Sequence, residues 1–217
     1  MLIAYAATRN LYRQLLPSIR SLLRHNKCDI VILCEDDWIP IGDRVINVSK
    51  EKRFKQNTET RFTYMTLMRL LLPELVEEDR ILYLDVDTIV CDDLRPLFEM
   101  DMTGKWWGAV EEYKGKWKPT EHYYNAGVSL FNLKQMREDN AVEKFIDNIN
   151  NNVHPFPDQD CLNELTVPGK VIPLDVRYNE AFCTGYTDNP AVVHYAGYSD
   201  WFTNPAIYRH ELIEKYK

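Results

Sequence analysis

Residues 80–90 read Arg80-Ile81-Leu82-Tyr83-Leu84-Asp85-Val86-Asp87-Thr88-Ile89-Val90, and the fold follows from how this stretch is organised. RILYL is an apolar run of strand length, continuous rather than alternating, which predicts a strand buried on both faces and hence a parallel sheet covered on both sides. Two carboxylates two residues apart, Asp85 and Asp87, then end the run. In such sheets ligands bind beyond the carboxyl ends of the strands, so the polar residues that end or interrupt apolar runs are the ones to follow.

Outward from this stretch, the same pattern recurs. LIAYAA (2–7) and DIVILC (29–34) read as buried strands, and RVINV (44–48) as a weaker one. Between the first two, Leu11, Leu15, Leu16, Ile19, Leu22 and Leu23 recur at helical spacing, with Pro17 marking a kink or a first turn. Residues 62–75, FTYMTLMRLLLPEL, read as a helix apolar nearly all round, which predicts burial. WWGAVEEY (106–113) and YYNAGVSLFNL (123–133) read as strands joined by a Lys- and Gly-rich loop. A helix is expected over 134–153, with Val142, Phe145, Ile146, Ile149 and Val153 on one stripe. A short helix over 157–166, the segment KVIPL and the strand AVVHYA (191–196) follow. Strands alternating with helices predict an α/β fold with a mainly parallel sheet and helices on both faces.

The chain has 217 residues, 45% hydrophobic and 27% charged, which sets the expectation of one folded domain over 1–217. A net charge of −7 disfavours nucleic acid as a partner, because duplex binding needs a broad basic surface. The N-terminus does not read as a signal peptide, and no run approaches the length of a membrane span. Five cysteines, odd in number and without CxxC spacing, are most simply reduced thiols, which sets the expectation of a cytoplasmic protein.

Asp85 and Asp87 at a buried strand end are costly to keep charged unless a cation neutralises them; a solvated turn is the ordinary alternative. Hard oxygen ligands suit Mg²⁺ or Mn²⁺, and His194, if it joins them, makes a set that fits Mn²⁺. Arg69, inside MTLMRLLLP, must meet either an internal aspartate or a ligand anion. Asn125-Ala126-Gly127 interrupts a strand with an amide and two small residues, which suits close approach of a ligand or a β-bulge. Asp160 suits a helix-start cap, whereas Gln159 in the turn PFPDQD has no such role and could hold a sugar hydroxyl. Lys114, Lys116 and Lys118 around Trp117 form the one local basic cluster, and read as a solvated loop.

Jointly, AYAATRN, MRLLLPEL, RILYLDVDTIVCDDL, YYNAGVSLFNL, FPDQDCLNEL and VVHYAG resemble, in order, family 8 of the retaining glycosyltransferases. The resemblance implies a GT-A fold, a UDP-sugar donor, Mn²⁺ (or Mg²⁺) as metal cofactor, and a glycan or glycolipid acceptor. It implies Asp85, Asp87 and His194 as metal ligands. It places Ala6, Ala7, Thr8, Asn10 and Tyr12 at the uridine, and Arg69, Val86, Asn125, Ala126 and Gly197 with the rest of the donor. Asp158 and Gln159 fall to the reaction centre, with Gln159 beneath the anomeric carbon. Two departures stand out. Thr8 replaces an aspartate common in bacterial members, and Ser199-Asp200 stand where the family carries a lysine that reaches the diphosphate. A basic, aromatic tail is also missing, so membrane contact is expected to be peripheral at most. A weakened sugar-nucleotide-binding module or a metal-dependent nucleotidyltransferase would use the same carboxylates.

Overall fold

The structure, a computed structural model, describes residues 1–36, 42–58, 64–113, 120–167 and 169–217. The lysine cluster at 114–118 lies outside the described residues. In chain order the elements are β1 (Leu2–Ala7), α1 (Tyr12–His25), β2 (Asp29–Cys34), β3 (Arg44–Asn47), α2 (Leu72–Leu75), β4 (Arg80–Leu84), β5 (Thr88–Val90) and α3 (Arg95–Phe98). They continue as β6 (Trp107–Glu111), β7 (Tyr124–Asn132), α4 (Leu133–Glu138), α5 (Ala141–Asn151), α6 (Pro157–Thr166), β8 (Val171–Pro173), β9 (Val192–His194) and α7 (His210–Tyr216).

Seven strands form one sheet in the order β3-β2-β1-β4-β7-β6-β8, and β5 pairs with β9 in a separate ribbon. Only β7 runs against the rest, antiparallel to both β4 and β6. The reversal brings the beginning of β7 to the same sheet edge as the ends of β1 and β4.

Alternate residues of the strands feed two cores. Leu2, Ala4 and Ala6 of β1 face a layer built from the 64–76 segment and from α4, α5 and α6, including Met68, Phe145 and Leu162. Ile3, Tyr5 and Ala7 face the other layer, with Leu15, Ile19 and Leu22 of α1 and Leu97 of α3. Helices therefore cover both faces, which is why the strands are apolar throughout rather than alternating. Among the described residues no helix is long and apolar enough to cross a membrane.

Three details differ from the sequence expectation. The 64–75 segment is a 3-10 helix over Tyr64–Leu71 that becomes α-helical only at Leu72. Pro73 lacks the N–H that would close an α-helical bond to residue 69. The 134–153 helix is two helices, divided at Asp139 and at Asn140, which takes the left-handed conformation (φ 52°) that asparagine tolerates. At this break the Asp139 carboxylate accepts from Trp106 Nε1 (2.6 Å) and Lys170 Nζ (2.7 Å). Val153 then falls beyond α5 and is exposed. Third, β9 joins the ribbon with β5 and not the large sheet. Pro17 sits inside α1, so the helix begins before it.

A buried hydroxyl chain fixes the turn after β4. Tyr5 meets Ser18 (3.1 Å), Ser18 meets Thr88 (2.9 Å), and Thr88 donates to the Asp85 carbonyl (2.7 Å). Removing the middle link leaves buried hydroxyls without their partner. Ser18→Ala should therefore cost about 1–3 kcal/mol, read as a lower denaturation midpoint at unchanged m-value. An unchanged midpoint would mean the chain is not a structural tie.

Candidate active site

Asp85 and Asp87 flank the turn between β4 and β5, where Asp85 N–H donates to the Gly127 carbonyl (2.8 Å) and Tyr195 N–H to the Asp87 carbonyl (2.9 Å). His194 closes β9 opposite Thr88 in the ribbon. These placements put His194 Nε2 3.3 Å from Asp87 Oδ1 and 3.8 Å from Asp85 Oδ2. Ligand atoms of all three lie within 4.8 Å of one another. Gly127 backs the imidazole so closely that a Cβ there would stand 2.1 Å from His194 Cε1. No other residue leaves room for the ring.

Arg69 is buried, and each of its three side-chain nitrogens has a partner. Its Nη2 donates to Asp85 Oδ1 (2.7 Å), Nη1 to the Ala126 carbonyl (2.7 Å) and Nε to the Thr66 carbonyl (3.2 Å), with Asp158 Oδ2 3.0 Å from Nε. Its guanidinium also lies over the Tyr83 ring. Of the two partners open to it in the sequence reading, an internal aspartate is the one it meets, and it meets two.

Asn125-Ala126-Gly127 lies where the β6–β7 register shifts, from Gly108 opposite Leu130 to Val110 opposite Asn125. The irregular ladder and the site are thus the same feature. Asn125 Nδ2 donates to Glu112 Oε1 (2.8 Å), and its Oδ1 accepts from Gly127 N–H (3.0 Å) and from Asn179 Nδ2 (2.8 Å). Gln159 Oε1 accepts from Ala126 N–H (2.9 Å) while its Nε2 donates to Glu112 (3.2 Å). α6 is held against β7 by Asn163, whose side chain pairs both backbone groups of Tyr124 as a neighbouring strand would. Asp160 accepts the Phe156 N–H (2.9 Å) at the start of α6, so it does act there as a cap.

Ala6 and Ala7, buried, end β1, which lies beside β4; Thr8, also buried, follows, and the turn Arg9–Leu11 carries Asn10 outward before Tyr12 opens α1. Gly197, in the left-handed conformation (φ 79°), lies against the Phe182 ring. Asp200 Oδ2 accepts from Asn204 (2.9 Å), and Arg9 pairs with Asp36 at the surface (3.1 Å). The structure therefore gathers Arg69, Asp85, Asp87, Asn125, Ala126, Asp158, Gln159 and His194 at one sheet edge. Glu112, Asn163 and Asn179 belong to the same network and do not stand out in the sequence. The one signal for Glu112 is its place at the end of the apolar run WWGAV; Asn179 lies in a loop with no periodicity to mark it.

Electrostatics follow from burial and proximity. Burial raises the Asp85 pKa against the pull of Arg69, with Asp87 adding to the rise. Burial also acts to raise Asp87, but the imidazole outweighs it and the net shift is downward. For His194 burial pulls the pKa down, while Asp87 and then Asp85 more than reverse it, so the net shift is upward. A base whose folded pKa exceeds its unfolded value adds stability below the unfolded pKa and loses it as pH rises through the folded one. Metal-free protein should thus lose thermal stability from about pH 6.5 upward, more steeply than His194→Gln does. Melts in EDTA across that range check this, and parallel curves would contradict it.

The family model for glycosyl transferase family 8 matches residues 2–202. The chain is 30% identical over 211 residues to the glycosyltransferase GlyF of Streptococcus pneumoniae, covering 83% of this chain and 52% of that protein. It is 29% identical over 217 residues to GlyA of the same organism, covering 89% and 31%. The chain thus spans about half of GlyF and about a third of GlyA. Its backbone superposes on GlyE of Streptococcus pneumoniae with a TM-score of 0.76 at 25% identity, covering 99% of this chain and 59% of that one. It also superposes on the galactosyltransferase LgtC, solved with donor and acceptor sugar analogues, at 0.76 and 24% identity, covering 99% and 94%. The LgtC and GlyE likenesses carry the GT-A architecture, and the match over residues 2–202 carries the membership: this chain belongs to glycosyl transferase family 8.

Proposed function

We propose that this chain transfers a hexose, glucose or galactose, from a UDP-sugar to a glycan or glycolipid acceptor with retention of configuration. The observation that carries the reading is the convergence of Asp85, Asp87 and His194 on one point beside the polar set Arg69, Asn125, Asp158 and Gln159. Two carboxylates and one imidazole form a donor set suited to Mn²⁺, with Mg²⁺ as the harder alternative, and Gly127 leaves the imidazole its seat. A divalent ion held there would neutralise the charge that grows on the diphosphate as the sugar leaves.

The protein groups supply the rest. Ala6, Ala7, Thr8, Asn10 and Tyr12 receive the uridine, Val86 and Gly197 offer backbone to the donor, and Ala126, its own N–H and carbonyl held by Gln159 and Arg69, offers the donor a small side chain to approach. Asp158 shares Arg69 with Asp85, and that partner lowers its worth as a nucleophile. Gln159 is uncharged, its amide oriented by Ala126 and Glu112. Neither is well placed in charge to form a glycosyl adduct, which favours front-face attack with the leaving phosphate taking the acceptor proton. Asp200 is engaged by Asn204, so no carboxylate needs to oppose the phosphates there. On the acceptor side, Phe182 and Tyr198, and Tyr186 and Tyr208, form two exposed ring pairs with centroids 5.7 and 4.7 Å apart. Such a surface suits the C–H faces of a sugar, and any membrane contact would be peripheral.

With Mn²⁺ and a panel of UDP-sugars, the protein should release UDP slowly by donor hydrolysis, and EDTA should stop it. Gln159→Ala should lower turnover more than donor affinity. Donor binding without UDP release would reassign the chain as a binding module; diphosphate released from a nucleoside triphosphate would make it a nucleotidyltransferase.

A further inference from the structure

We infer that Asn179 is a positioning residue that fixes which nitrogen of His194 carries hydrogen and ties that choice to the amide of Asn125; the inference rests on the proposed metal site. Hydrogen-bond polarity passes from Gly127 and Glu112 through the amides of Asn125 and Asn179 to His194. Gly127 N–H can only donate, and it donates to Asn125 Oδ1 (3.0 Å). The Glu112 carboxylate accepts from the other end of the same amide, Asn125 Nδ2 (2.8 Å). The Asn125 amide therefore has one orientation. Asn179 meets Asn125 Oδ1 and must present its own Nδ2 there (2.8 Å), which turns Asn179 Oδ1 to His194 Nδ1 (2.9 Å). An amide oxygen only accepts, so Nδ1 holds the hydrogen. The other nitrogen, Nε2, is the one that faces Asp87 and Asp85.

Asn179 is itself immobilised. It is fully buried, its backbone N–H donates to the Val176 carbonyl (3.0 Å), and its carbonyl accepts from the Thr184 hydroxyl. One side chain thus reads the state of the sugar-side amide and sets the basic nitrogen of the metal-side imidazole. Partners that orient a metal-binding histidine in this way typically account for about 10–100-fold in metal affinity.

Two substitutions separate the two halves of this role. Asn179→Leu keeps the bulk and loses both bonds. Asn179→Asp keeps an acceptor for His194 Nδ1 but cannot donate to Asn125. Calorimetric titration of the full chain with Mn²⁺ in the presence of UDP, and then with UDP-glucose or UDP-galactose, reads both. Asn179→Leu should weaken Mn²⁺ binding by about 10–100-fold. Asn179→Asp should bind Mn²⁺ at least as well as the wild type while losing whatever affinity the hexose adds to UDP. If Asn179→Leu does not fold, Asn179→Asp carries the test alone. Asn179→Leu with wild-type Mn²⁺ affinity overturns the inference, and so does Asn179→Asp weakened for Mn²⁺ to the same degree as a packing defect would be. A wild-type protein that binds no Mn²⁺ with UDP would overturn the metal reading itself.

Discussion

A guanidinium sealed from water has to be surrounded by acceptors, and Arg69 imposes that demand on three elements at once. Its charge cannot be shed, and an unpaired buried charge costs several kcal/mol, about 3–5 when one partner of such a pair is lost. Asp85 comes from the end of β4, Asp158 from the first turn of α6, and the Ala126 carbonyl from the beginning of β7. Satisfying Arg69 therefore sets the spacing between the turn that holds the two aspartates and the helix that holds Gln159. The reversed strand makes this possible, because a parallel β7 would carry Asn125 and Ala126 to the opposite edge of the sheet.

Around that anchor the site divides into two charge regimes. On one side, Asp85, Asp87 and His194 form a cluster whose internal balance favours a positive guest: two carboxylates share one imidazole and half of an arginine. On the other, Asn125, Gln159 and Glu112 exchange neutral and charge-assisted hydrogen bonds that orient amides without adding net positive charge. Asn179 joins the two. The arrangement suits a reaction in which charge accumulates on a leaving diphosphate while the sugar itself needs orientation more than charge.

Much of this is legible in the sequence for physical reasons. RILYL, LIAYAA and DIVILC announce buried strands because strands covered on both faces have no polar side to show. Asp85 and Asp87 stand out because carboxylates at the end of such a run need a reason to be there. Arg69 stands out for the same reason inside an apolar segment. What the sequence does not carry is direction and pairing. Nothing in YYNAGVSLFNL says that the strand runs antiparallel, yet that direction delivers Asn125 to Asp85. The left-handed Asn140 divides the 134–153 helix beside Asp139, whose carboxylate meets Trp106 and Lys170, contacts made across the fold that no local pattern announces. Asn179 escapes for the deepest reason: its importance lies in hydrogen-bond polarity passed from Glu112 and Gly127, residues 67 and 52 positions away, which no local pattern records.

The central claim is that Asp85, Asp87 and His194 hold a divalent ion at the diphosphate of a nucleotide sugar. Crystals grown with Mn²⁺ and UDP test it most directly, through the anomalous scattering of manganese. The account predicts one strong anomalous peak bonded to both carboxylates, to His194 Nε2 and to the phosphates of UDP, with Arg69 still bridging Asp85 and Asp158. A peak that omits His194, or UDP bound in the cleft with no manganese between it and the aspartates, would contradict it.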